Sequence, residues 1–173
     1  PGVVGVLRCD NDATHSVLLS DEVSLLCGRP RLEEAVGRTR VELGLRSFWQ
    51  LNRAMARRAY EDIAELLELP GEARVLELYC GVGGISLTLA DRGIRTCSGI
   101  DVSHEAIHAA TRAAEPLGAH APRFRTADAR TLAARELQDY DAVIVDPPRK
   151  GLGADASRAL GASGADRIAY LSC

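Results

Sequence analysis

Lysine is almost missing from this chain. Lys150 is the single lysine among 21 basic residues, and arginine supplies the rest. Against 24 acidic residues the formal net charge is −3. That balance excludes a polybasic protein that holds nucleic acid through bulk charge, while leaving room for a local basic patch. Long apolar runs are also missing: none approaches the roughly 20 residues needed to cross a bilayer, and no charged-then-apolar leader is present. The expectation is a soluble, non-secreted, cytoplasmic chain without a membrane partner. Paired cysteines are missing too. The five cysteines are odd in number and form no CxxC pair, which argues against a disulfide framework or a zinc knuckle. No metal is expected, and Cys9, Cys27 and Cys97 read as inert. His15, His104, His108 and His120 are scattered without ligand spacing.

The residues that are present are globular in kind, with 46% hydrophobic and 26% charged. The 173 residues suffice for one compact domain with an appendage. A chain that opens on Pro1 and stops on Cys173, directly after an apolar run, is expected to be a fragment. Residues 1–46 read as a small β-rich segment, an antiparallel meander too short to hold much core of its own. Its runs are Val3 to Leu7, Ser16 to Leu19, Leu32 to Val36 and Val41 to Leu45, with turn chemistry at Cys9 to Thr14 and Gly37. From Asn52 the period becomes helical, through Ala56, Tyr60, Ile63 and Leu67, and stops at Pro70-Gly71.

Then strand and helix alternate. Strands are expected at Arg74–Tyr79, Arg95–Ile100, Pro122–Thr126, Ala142–Asp146 and Arg167–Leu171. Helices are expected near Gly84–Asp91, Ser103–Leu117, Leu132–Leu137 and Ala154–Leu160. This is the pattern of an α/β fold with a doubly wound, Rossmann-like parallel sheet occupying residues 47–173 and broken off after its fifth strand.

Ligands of such sheets lie outside the carboxyl ends of the strands. Each expected strand leads into polar or glycine chemistry: Cys80 to Gly84 (CGVGG), Asp101, Asp128, the string Asp146 to Gly151 (DPPRKG), and Ser172-Cys173. Glycines at 81, 83 and 84 let the backbone approach a ligand at a helix N-terminus. Asp101 lies about 20 residues past Gly81, the offset at which a carboxylate meets ribose hydroxyls. A nicotinamide fingerprint asks for a third glycine where Ser86 stands, and Glu77 precedes the loop. A carboxylate there favours a cationic, phosphate-free nucleoside ligand such as S-adenosyl-L-methionine over a dinucleotide. Asp146 before two prolines is held extended at a strand mouth. Arg149 and Lys150 suit phosphate oxygens of a nucleic acid or form a solvated turn. Phe48 and Trp49 read either as packing or as part of a cofactor cover with Gln50 and Asn52. Cys173 reads as a packing residue or, at this strand edge, as a nucleophile.

Together, SFWQLN (47–52), LELYCGVGGISLTLA (76–90), GIDVSHEAI (99–107), DPPRKGLG (146–153) and YLSC (170–173) resemble the RNA uracil-5-methyltransferase family, whose members make 5-methyluridine in ribosomal or transfer RNA. The resemblance implies a class I methyltransferase domain, S-adenosyl-L-methionine as cofactor and RNA as partner. It maps cofactor contacts onto Gln50, Tyr79, Asp101, Asp128 and Asp146, and the nucleophile onto Cys173. The family's glutamate base maps beyond Cys173. An OB-type domain and, in some members, an iron–sulfur cluster belong to the family but not to these residues. CGVGG leans toward ribosomal RNA. Other readings are a non-catalytic binding module, another methyltransferase with a DPP loop, and a nicotinamide-dependent oxidoreductase.

Overall fold

A computed structural model describes residues 2–10 and 22–172. The expected strand at Ser16 to Leu19, most of the Cys9–Thr14 turn, His15 and Cys173 lie outside the described residues. The β-rich segment forms two separate antiparallel ladders rather than one meander. β1 (Gly5–Cys9) pairs with β2 (Val23–Gly28), and β3 (Leu32–Val36) pairs with β4 (Thr39–Leu43). The second ladder is the one with a core. Val36, Val41 and Leu43 pack with Leu87, Ala109 and Ala113 of the following domain.

Helix α1 (Arg53–Leu67) starts where the Asn52 side chain accepts a hydrogen bond from the Met55 amide at 3.2 Å. It ends at Glu68, which takes a left-handed conformation before Pro70. The main sheet comes next, with β5 (Arg74–Leu78), β6 (Thr96–Asp101), β7 (Arg123–Thr126), β8 (Ala142–Val145) and β9 (Arg167–Tyr170), all parallel, in the order β7-β6-β5-β8-β9. Chain order reverses between β5 and β8, so their carboxyl ends form the switch point at which such sheets bind ligands.

The central strands are apolar on both faces, as a doubly covered parallel sheet requires. All four residues of β8 (AVIV) are buried. Alternation assigns the faces. Val75 and Ile144 meet Ile63 and Leu67 of α1 and Ile85 and Leu89 of α2 (Gly84–Asp91). Leu76, Val143 and Val145 meet Leu137 of α4 (Ala134–Leu137) and Ala156 and Leu160 of α5 (Ala154–Gly161).

Two helices are shorter than their periodicity predicts. α3 (His104–Ala114), capped by Ser103, stops because Pro116 cannot donate to the ladder. The chain continues in 3-10 turns that break at Gly118, φ 60°. Leu132 and Ala133 are extended, which leaves α4 a single turn.

Gly83 starts α2 at φ 83°, and a Cβ on it would meet the Phe124 ring at 2.6 Å. Gly83→Ala therefore combines a strained backbone with a steric clash. It should lower stability by about 1–3 kcal/mol in urea unfolding; an unshifted midpoint would contradict this packing.

Candidate functional site

The site is built on the exit of β5. Tyr79 turns the chain at φ 61°, an uncommon conformation for an aromatic residue. The Cys80 amide bonds to the Ile100 carbonyl at 3.0 Å and the Gly83 amide to the Cys80 carbonyl at 2.7 Å, which folds CGVGG into a tight loop over the end of β6. The Gly81 amide donates to Asp101 Oδ2 at 2.9 Å, and the Ser103 amide to Asp101 Oδ1 at 2.9 Å. The spacing read from the sequence thus closes as a direct contact between the glycine loop and the acid at the end of β6. Each Asp101 oxygen accepts one of these backbone bonds, and a carboxylate oxygen has a further lone pair for a ligand hydroxyl.

Glu77 lies on β5 beneath the loop and is 2% exposed. Its Oε2 accepts from the Ser86 amide at 2.8 Å and the Ser86 hydroxyl at 2.5 Å. Burial pushes its carboxyl up from 4.5 to about 7, while the Ser86 bonds pull the other way. Asp146, at the mouth of β8, is half-buried and is likewise pushed up by burial. After Pro147-Pro148 the chain turns, with the Gly151 amide on the Pro148 carbonyl at 2.7 Å, and leaves Arg149 and Lys150 exposed on the rim.

Gln50, Tyr79, Gly81, Gly84 and Asp146 line one cavity of about 40 Å3, together with Glu77 and with Tyr60 of α1. Asp101 joins this group through Gly81. Asp128 joins it through Tyr79, whose phenol is raised first by burial and then by the Asp128 charge. Asp128 does not stand free. Arg130 holds it through Nη2–Oδ2 at 2.7 Å, Nε–Oδ1 at 3.0 Å and its own amide at 2.9 Å, and these bonds draw the carboxyl down. Neither the Arg130 clamp nor the place of Tyr60 was legible in the sequence. The i, i+2 spacing of Asp128 and Arg130 marks no motif, and Tyr60 looks like one more residue of a helix face.

The Cys80 and Cys97 thiols are buried, and burial pushes both up, Cys97 to about 12. Neither is poised to act as a thiolate. A larger cavity of about 330 Å3 lies between β3, α1 and the far end of α2. It contains none of the strand-end acids and shares only Trp49 and Tyr60 with the smaller cavity. Among the described residues no group of His, Cys, Asp or Glu could hold a metal ion, and no helix is long and apolar enough to cross a membrane.

A family model described as a methyltransferase domain matches residues 75–160. An uncharacterized RNA methyltransferase of Listeria innocua is 31% identical over the whole chain. One of Geobacter sulfurreducens is 34% identical, also over the whole chain. The chain spans 38% and 35% of these two relatives, less than half of either. Among solved structures, the tRNA (uracil-54, C5)-methyltransferase of Pyrococcus abyssi in complex with S-adenosyl-L-homocysteine matches with a TM-score of 0.81 and 28% identity. That match covers 99% of this chain and 42% of the other. An S-adenosylmethionine-dependent methyltransferase of Thiobacillus denitrificans, also with S-adenosylhomocysteine, matches at a TM-score of 0.53 and 26% identity, over 61% and 43% of the two chains.

The strand ends fit S-adenosylmethionine. Space above Gly81 is open, with nothing within 4 Å of a Cβ built there. Among the described residues the Tyr79 hydroxyl and Trp49 Nε1 are buried without a hydrogen-bond partner. Glu77 and Asp146 line the cavity, and carboxyl groups there suit a sulfonium and an ammonium.

The raised Glu77 carboxyl fixes the sign of a pH effect. Between about 4.5 and about 7 the folded protein keeps a proton that the unfolded chain has released, so stability contributed at low pH is lost as pH rises through that window. In Glu77→Gln that decline should vanish. Urea midpoints at about pH 5 and about pH 8 for both proteins check it; parallel profiles would contradict the assignment.

Proposed function

We propose, from its likeness to RNA methyltransferases over the whole chain and from its match to a methyltransferase domain, that this chain methylates carbon 5 of a uridine in RNA through a covalent cysteine adduct. The observation that carries this reading is the convergence at one switch point of the Asp101–Gly81 contact, the Gln50–Tyr79–Asp146 cavity and the basic rim of Arg149 and Lys150. In this reading Asp101 holds the ribose, Asp128 the adenine edge, and Gln50, Tyr79 and the loop of Gly81, Gly83 and Gly84 the remainder of the cofactor. S-Adenosylmethionine supplies an electrophilic methyl group on a sulfonium.

Carbon 5 of uracil is a weak nucleophile. Cys173, which comes after β9 in the sequence, would add to carbon 6 as a thiolate and convert the ring to an enolate whose carbon 5 can take the methyl group. A base then removes the carbon-5 proton, and the thiolate leaves. The target base must be unpaired or flipped to reach Asp146 and its Pro-Pro turn. CGVGG favours ribosomal RNA as the substrate. The likeness to the Pyrococcus abyssi enzyme, which is named for tRNA, supports tRNA as the second reading.

Asp101→Ala should weaken S-adenosylhomocysteine binding by about 1.5–3 kcal/mol, through lost hydrogen bonds to a charged group; an unchanged calorimetric dissociation constant would remove Asp101 from the ribose site. Neutralising Arg149 and Lys150 together should flatten the salt slope of RNA binding by about 1.4, the share of two phosphate contacts to a single strand; an unaltered slope would move the RNA patch elsewhere. With a protein spanning the full length of the relatives, labelled methyl should enter 23S rRNA in preference to tRNA transcripts. Cys173→Ser should abolish both that incorporation and the protein–RNA band on a denaturing gel. Full methylation by Cys173→Ser would refute the covalent route.

A further inference from the structure

Tyr60 stands in the site with no role assigned to it. It projects from α1 onto the start of α2 and lines the cavity beside Glu77, Gly84 and Asp146. A Cβ at Gly84 would come within 2.8 Å of Tyr60 Cε2 and 3.1 Å of its hydroxyl. Position 84 is therefore bare where the phenol of α1 reaches in: the space that a side chain of α2 would take is filled from the neighbouring helix. Among the described residues the hydroxyl has no hydrogen-bond partner. Burial pushes the phenol well up, and the carboxyls of Glu77 and then Asp146 add to the push. The group is thus a neutral hydroxyl close to two acids. Its oxygen offers lone pairs in a region of negative potential, an environment for a cation that can donate hydrogen bonds. The cofactor has one such group, the ammonium of its amino-acid end.

We propose that Tyr60 is a cofactor-binding residue whose hydroxyl oxygen accepts a hydrogen bond from the ammonium of the amino-acid end of S-adenosylmethionine, with Asp146 as the facing charge and Glu77 behind it. The proposal rests on the reading of the strand ends as the cofactor site. It divides recognition between elements: Asp101 and Asp128 serve the nucleoside, while α1 serves the amino acid.

Tyr60→Phe keeps the ring that packs on Gly84 and removes only the hydroxyl. Calorimetric titration of both proteins uses S-adenosylhomocysteine and 5′-methylthioadenosine, which has the nucleoside and thioether but no amino-acid end. S-Adenosylhomocysteine should bind Tyr60→Phe about tenfold more weakly, the size of one hydrogen bond to a charged group. 5′-Methylthioadenosine should bind both proteins equally. Equal S-adenosylhomocysteine affinities would overturn the proposal, and so would an equal loss for both ligands, which marks a packing role. If the native protein binds neither ligand, the cofactor site itself is misassigned and the proposal falls with it; binding that does not discriminate overturns Tyr60 alone.

Discussion

The Glu77 carboxyl, buried near the carboxyl end of the central strand and tied to Ser86, is the interaction on which the rest of the site depends. β5 must end at a fixed height relative to α2, because the five residues between them form the entire glycine loop. An unpaired carboxyl in this position would be costly. Two hydrogen bonds from Ser86, at 2.8 and 2.5 Å, turn that cost into a constraint on where α2 begins. With α2 pinned, the Gly81 amide faces Asp101 and Gly84 lies under the Tyr60 ring. The same carboxyl shapes the field of the cavity. Burial raises Tyr60, Cys80 and Cys97, and the Glu77 charge adds to each, so these neighbouring groups keep their protons. The first turn of α2 is thus fastened from below by Glu77 and covered from above by Tyr60.

The segments before the sheet complete the site rather than accompany it. β3 and β4 lie against α2 and α3 through Val36, Val41 and Leu43, which places the 48–50 stretch over the strand ends. Trp49 and Tyr60 form a shared wall between the small cavity at the strand ends and the larger cavity along α2. The larger space is ringed by groups already in ion pairs, Arg53 with Glu34 at 3.0 Å and Arg57 with Glu61 at 2.8 Å. Volume is therefore a poor guide here. The Tyr79 hydroxyl, buried without a hydrogen-bond partner among the described residues, and the strand-end acid Asp146 line only the smaller cavity.

The alternation of strand and helix was legible because AVIV is a short apolar run and RVLEL a short β-prone one, both bounded by turn residues, and because each leads into polar chemistry at one edge. The Gly81–Asp101 offset was legible for the same reason: strand, loop, helix and strand fix the distance between two loops. Helix ends were less legible. Pro116 ends α3 although Ala113, Ala114 and Leu117 continue the apolar period, and backbone geometry overrides the pattern. The two ladders of the β-rich segment read as one meander because the strand pattern does not carry the difference between them: only β3 and β4 pack on α2 and α3. Tyr60 and Gly84 are a pair only in space. One residue fills the room that the other leaves empty, and 24 positions separate them along the chain. The same holds for Glu77, whose place before a glycine loop suggests a ligand contact, whereas its carboxyl is spent largely on Ser86.

The proposed site stands or falls on one arrangement: a single nucleoside cofactor along the strand ends, with its parts divided among β5, β6, β7 and α1. A crystal structure of the chain with S-adenosylhomocysteine decides it. The ribose hydroxyls should lie on Asp101, the adenine toward Asp128 with Arg130 displaced or shared, and the amino-acid end in the cavity of Tyr60 and Asp146. Density for the ligand in the cavity between β3, α1 and α2, or at the strand ends with the adenine against Tyr60, would contradict that arrangement.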